Sequence, residues 1–331
     1  MNIIKRILSP ESKIVKKAKW YAIAPLLVIV VGIFMVALVG FNMGLDFTGG
    51  RIVTISGFAE SDYAATQTIV KEEMNSKGID KPHFQREERT GGGGGIVMTV
   101  KFTHPDGLDS SDEVAVKAFF EELQDSVNAQ LTIDGLSIIT IEDSDSLSAS
   151  ASSEKIMNVF FAVAVALIFI LIYMFVRFKL NSGVAAVVGL FHDVLIMTAL
   201  VAIFQIQINF VFVAALITVI AYSLNNTLIL FDRVRDKEKD VDSRLTTEQI
   251  VDVSIKETFA RTLITTITTL VPVIVLAVLG VPLIQEFAIP ITFGLIAGTF
   301  STIFLTSSLY VRFEEARKRR AKQKLSGGNK K

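Results

Sequence analysis

The 331-residue chain has no cysteine, which removes disulfide frameworks, thiol catalysis and thiolate metal sites together. Its three histidines, His83, His104 and His192, are too few and too scattered for a histidine metal cluster. An excess of one charge is also missing: 33 basic residues balance 33 acidic ones, and no nucleic-acid partner is expected. No A-x-A cleavage pattern follows the first apolar run, which therefore reads as a retained anchor. No residue set calls for a metal or a cofactor. Five glycines, Gly91–Gly95, lead into a strand pattern rather than a helix start, so they read as a hairpin loop and not a phosphate cradle.

What the chain does have is hydrocarbon. Mean hydropathy is +0.51 and 51% of residues are hydrophobic, high for a soluble domain. A spanning helix needs about 20 mostly apolar residues. Six stretches qualify: 20–40, 156–176, 183–204, 209–231, 262–280 and 286–310. The chain therefore reads as an α-helical membrane protein with six transmembrane helices. A basic amino-terminus (1–19) precedes the first span (20–40), and an external domain (41–155) follows it. A five-helix bundle (156–310) carries a cytoplasmic loop (232–261), and a basic tail (311–331) ends the chain.

Orientation follows from lysine and arginine. Residues 1–19 hold six basic side chains against Glu11, and the tail holds nine against Glu314 and Glu315. The connectors "QIQIN" and "GVPLIQE" hold none. Both termini are thus expected in the cytoplasm, the tail in solution or resting on anionic lipid. The mixed-sign loop around "RVRDKEKDVDSR" reads as a solvated helix extension and turn.

The external segment alternates in period. Strands are expected at "RIVTISGF", "HFQREER", "IVMTVKF" and "LSIITIED", with helices at 61–77 and 109–129. The order β-α-β-β-α-β is that of a ferredoxin-like α+β domain. "SDSLSASASSE" (144–154), small and polar, reads as the linker back to the membrane. Pro272, Pro282 and Pro290 read as breaks or ends of the last two spans, and Gly294 with Gly298 as a point of close helix approach.

Polar residues within the spans are costly and usually face a bundle interior or water. His192 and Asp193 lie about 15 Å into the third span, at about 1.5 Å per residue. With Gly189 and Ile196 they share a face. Two readings stand: a structural His–Asp clip, or a group that moves ions or protons. In the fourth span Tyr222, Asn226 and Arg233 stack at helical spacing, with Ser223 and Thr227 one strip over and Asn225 flanking. Helix glue explains these as well as function does. Arg261, Thr265, Thr268 and Thr269 make a polar face opening the fifth span. A helix that begins before Arg261 carries this charge into the membrane; one that begins at Arg261 lets it snorkel.

"GLDFTGG" (Gly44, Asp46, Phe47, Gly49 and Gly50 among its residues), "HDV" in span three, "YSLN-x-T" followed by "FDRVR" (with Asp232 and Arg233), and "RTLITT" together resemble the SecF branch of the SecD/SecF family, in order and spacing. The resemblance covers essentially the whole chain. It implies a bacterial or archaeal cytoplasmic-membrane protein, not an enzyme, built in the manner of the resistance-nodulation-division transporters. It implies SecD and the SecYEG translocon as partners, and an unfolded secretory polypeptide as the object moved by proton or sodium motive force. It further implies that intramembrane carboxylates and Arg261 couple the ion. One departure stands out: the family pattern has aspartate where this chain has Asn226. That amide is an engineered replacement, a natural variant relying on Asp193 and SecD, or the mark of a scaffold without ion coupling. Two other classes remain alternatives: half of a small-molecule or lipid exporter, and an intramembrane hydrolase. The hydrolase is disfavoured because no serine is expected to face His192 and Asp193.

Overall fold

The computed structural model describes residues 14–79, 82–88, 96–103, 112–147, 149–239 and 245–327. The chain enters through a short 3-10 turn (Val15–Lys17) and the apolar helix α1 (Ile23–Val39). The α/β elements follow as β1 (Gly50–Ser56), α2 (Tyr63–Ser76), β2 (His83–Glu88), β3 (Ile96–Phe102), α3 (Glu113–Ile133) and β4 (Thr140–Leu147). The remaining helices are α4 (Ala149–Arg177), α5 (Leu180–Ile203), α6 (Phe210–Lys239), α7 (Thr247–Val278), α8 (Pro282–Phe300) and α9 (Ser307–Gly327). A π-helical turn, Ser301–Thr306, joins α8 to α9 without a break.

Two compact units result, one of residues 43–161 and one of 1–42 with 162–331. In the first, the sheet runs β2-β3-β1-β4 with every neighbour antiparallel. Val53, Ile55, Met98, Val100 and Phe102 lie on one face, in register across β1 and β3, and pack with Val70 and Met74 of α2 and Leu123 and Val127 of α3. Asp112 caps α3, accepting from Val114 N and Ala115 N at 3.1 Å.

The "GLDFTGG" motif makes a short helical turn, Leu45–Thr48, that feeds β1. Gly49 has φ +72 and Gly50 φ +148, conformations that L side chains rarely adopt. A Cβ at Gly50 would also stand 2.3 Å from Phe102 O. The two glycines are demanded by backbone geometry. Gly91–Gly95 lie outside the described residues.

Several expectations change. "SDSLSASASSE" is no linker: Ser144–Leu147 extend β4 and Ala149–Glu154 open α4. β1 templates the longer strand through a register shift between Ile52 and Val53, and alanine is the best helix former. Pro272 and Pro290 sit inside α7 and α8 and break neither, because packed membrane helices re-satisfy the freed backbone groups. Pro282 does start α8. The mixed-sign stretch is helical on both sides of a short connection, and α7 begins at Thr247 with a capping box. Arg261 is therefore a mid-helix residue.

Among the described residues five helical stretches are long and apolar enough to cross a membrane, from Met157–Arg177 to Leu283–Gln323. α1 is a shorter apolar helix of 17 residues. Close approach fixes the packing: a Cβ at Gly294 would stand 2.3 Å from Val219, and one at Gly298 3.0 Å from Ser223. The expected glycine pair thus seats α8 against α6.

Candidate functional site

Asp193 is 1% exposed where α5, α6 and α8 converge. Its Oδ1 lies 3.0 Å from His192 Nδ1, and its Oδ2 accepts a 2.5 Å hydrogen bond from Ser223 Oγ. Gly298 leaves room for it, since a Cβ there would stand 3.5 Å from Oδ2. One turn away Gly189 makes room for Thr306 instead, since a Cβ there would meet its Oγ1 at 2.1 Å. A carboxylate buried in hydrocarbon is costly without such partners. His192 also lines an apolar crevice of about 200 Å³ with Tyr21, Pro25, Ile29, Phe300 and Phe304.

Beside Asp193 runs a ladder of hydroxyls. Tyr222 donates to Thr266 Oγ1 at 3.2 Å, Thr266 and Thr299 meet at 2.8 Å, and Thr227 and Thr302 at 3.1 Å. These bonds tie α6, α7, α8 and the π-turn. Asn226 points into the same interior at 0% exposure, yet neither its Nδ2 nor its Oδ1 finds a partner among the described residues. Satisfied buried amides are the rule in folded proteins, so this one stands out.

Asn225 is exposed, so within this chain it is not glue. At about 100° per residue, one step along α6 turns its side chain out of the interface that holds Asn226. Arg261 is exposed too, and its side chain has no hydrogen bond or ion pair to another described residue. Thr265 Oγ1 bonds Arg261 O at 2.8 Å, and Thr268 and Thr269 also bond their own helix. The structure thus gathers His192, Asp193, Tyr222, Asn226 and Thr227, and leaves Asn225 and Arg261 on the outside of the bundle. Arg233 stands apart as well, paired with Glu257, which Lys237 also holds at 2.9 Å. Asp232 pairs with Arg177 at 2.8 Å. These "FDRVR" charges brace α4, α6 and α7.

Two features escaped the sequence reading. Ser223 does face Asp193, contrary to expectation, but it bonds the carboxylate and not the imidazole, so no nucleophile–base pair is formed. The span-six hydroxyls, Thr299, Thr302 and Thr306, were visible as polar residues three or four apart in "TFSTIFLT".

Residues 126–316 match the family described as protein export membrane protein SecD/SecF, C-terminal, and residues 34–56 match the SecD/SecF GG motif. The chain belongs to the SecD/SecF family. Within it, the protein translocase subunit SecF of Haemophilus influenzae is 30% identical over 300 residues, covering 91% of this chain and 85% of that one. SecF of Petrotoga mobilis is 28% identical, covering 95% and 99%. The crystal structure of SecDF, a translocon-associated membrane protein from Thermus thermophilus, aligns with a TM-score of 0.69 at 25% identity. That alignment covers 93% of this chain and 39% of the longer SecDF chain. This SecF-family chain is accordingly a membrane protein related to translocase subunits, and its GG motif is the one that starts β1.

Proposed function

We propose that this chain works with SecD as an ion-coupled unit that helps unfolded polypeptides leave the SecYEG channel. The observation that carries the reading is the Asp193 site: a buried carboxylate shared by three packed helices, hydrogen-bonded on both oxygens, with His192 between it and a crevice. Gain or loss of one proton there changes bonds that join α5 to α6. A unit charge crossing 100 mV is worth about 2.3 kcal/mol, enough to bias a bistable bundle.

SecD as partner is supported by the outward polar strip of Arg261, Thr268 and Asn225, which lipid alone would leave poorly matched. The length of the solved SecDF chain, of which this one spans 39%, supports it as well. The six-span reading takes α1 as the first span and places both basic ends in the cytoplasm. The strand order β2-β3-β1-β4 with two helices on one face supports a ferredoxin-like domain between spans one and two. Its edge strands, β2 and β4, suit strand addition by an extended chain. Asn226 stands where the family pattern has a carboxylate, and coupling here falls to Asp193 and to SecD.

Inverted vesicles carrying this chain with SecD and SecYEG test the reading. Asp193→Asn is expected to abolish the stimulation of translocation by a proton gradient, and Arg261→Ala to weaken recovery of SecD. Full stimulation with Asp193→Asn would end the ion-coupled reading. Restored coupling above the parent level in Asn226→Asp would instead mark the chain as a partly disarmed unit.

A further inference from the structure

A further buried carboxylate lies far from Asp193, in the stretch "GVPLIQE". Glu286 is 7% exposed in the first turns of α8. Its Oε2 accepts a 2.5 Å hydrogen bond from Nδ2 of Asn209, itself 7% exposed. Asn209 Oδ1 in turn accepts from Phe212 N at 2.9 Å, capping α6. One amide therefore clasps the starts of α6 and α8. This is the end of the bundle where α1 finishes: Asn42 donates from its side chain to Gln205 O at 2.9 Å, and its backbone O accepts from Ile208 N at 2.8 Å.

The surroundings make the charge unusual. The elements packed against α8 are α5, α6, α7 and the π-turn. Residues 194–231 and 262–311 contain no Asp, Glu, Lys, Arg or His apart from Glu286 itself. Next along the packed elements come His192 and Asp193 of α5 and Arg261 of α7, and α6 adds the Tyr222 phenol. A Cβ at Gly298 would stand 3.5 Å from Asp193, and Glu286 is twelve residues earlier on the same helix. At about 1.5 Å per residue the two carboxylates are about 18 Å apart along α8. Between them lies an apolar plug of Met197, Val201, Phe212, Val219, Ile291 and Leu295. Burial in such a place takes water away from a charged carboxylate, a cost that its protein partners must offset.

We propose that Glu286 is a second, reversible proton-binding site, at the end of the bundle where α6 and α8 begin, whose charge state sets the Asn209 clasp between those helices. A proton from water converts the carboxylate to the carboxylic acid and returns to water on release; no other bond is made or broken. The charged form takes a charge-assisted bond from Asn209, and the neutral form a weaker one, so protonation loosens the joint above the plug. The inference rests on the ion-coupled reading of Asp193 and names a separate station for the same ion.

The test is pH-dependent infrared difference spectroscopy of the full chain with SecD in lipid nanodiscs, from about pH 4 to about pH 9, which brackets ordinary and raised carboxyl values. Glu286→Gln is expected to delete one carboxylic-acid band of the parent, Asp193→Asn to keep that band, and Glu286→Asp to shift it. Coincident spectra for the parent and a folded Glu286→Gln variant overturn the proposal. If the glutamine variant fails to fold, an unshifted band in Glu286→Asp overturns it equally. Loss of gradient-driven translocation is read separately: a fully active Asp193→Asn refutes the coupling, while the Glu286 band still reports whether that site binds a proton.

Discussion

Replacing Asn226 with leucine should stabilise this protein, the reverse of what loss of a buried hydrogen-bonding residue normally does. The side chain is 0% exposed and both its polar atoms lack partners among the described residues. An unsatisfied buried polar group costs about 1–3 kcal/mol, and an apolar side chain of similar shape removes that cost. Allowing for strain from the altered branching, Asn226→Leu should gain about 1–2 kcal/mol. At roughly 2–4 °C per kcal/mol for a unit of this size, the unfolding midpoint should rise by about 2–8 °C. The measurement is thermal unfolding of full-length protein in nanodiscs, followed by the fluorescence of Trp20, the single tryptophan. A midpoint lowered by several degrees would refute the reasoning. It would mean that the amide is bonded in the working molecule and that position 226 is structural glue.

Two further outcomes follow from the packing and the charges. Gly294→Leu drives a side chain into Val219, 2.3 Å from the would-be Cβ, and overpacking costs about 1–3 kcal/mol, so the unfolding midpoint of the full-length protein should fall by several degrees. Glu238, outside the membrane spans, is opposed by its partial burial, yet hydrogen bonds from Lys179 and Tyr310 hold its pKa below the usual glutamate range. Its stabilising contribution is present above the ordinary value of about 4.3 and is lost as pH falls through the depressed one. Lys179→Ala should shrink the acid-induced loss of stability, read from denaturant unfolding across that pH range, by the ~0.2–1 kcal/mol typical of exposed pairs.

Much of this architecture is written in local pattern. Short-range residue pattern marks β1, β2 and β3, and long, mostly apolar runs mark the five candidate spans, because both signals depend only on neighbours in the chain. β4 was displaced by several residues because its extent depends on β1, a partner about ninety positions away. The start of α7 was open for the same reason: Thr246 and Gln249 form a capping box, but a mixed-charge stretch hides it. Within the site, helical spacing put Asp193 and Asn226 on inward faces. It could not tell Asn225 from Asn226, since which neighbour faces the bundle is set by the α6–α8 seam at Gly294 and Gly298. Glu286 was hidden in a connector, where only the Asn209 contact reveals its burial.

From Pro282 to Gly327 the chain is a single helical rod, about 70 Å long at about 1.5 Å per residue. Its one irregularity, the π-turn, shifts the angular phase of everything beyond it and sits beside Asp193's helix at Gly189. If that extra residue migrated by a turn, the basic far end would swivel against the lipid surface while the Glu286 end stayed seated. The rod would then act as a crankshaft with its bearing at the buried acid.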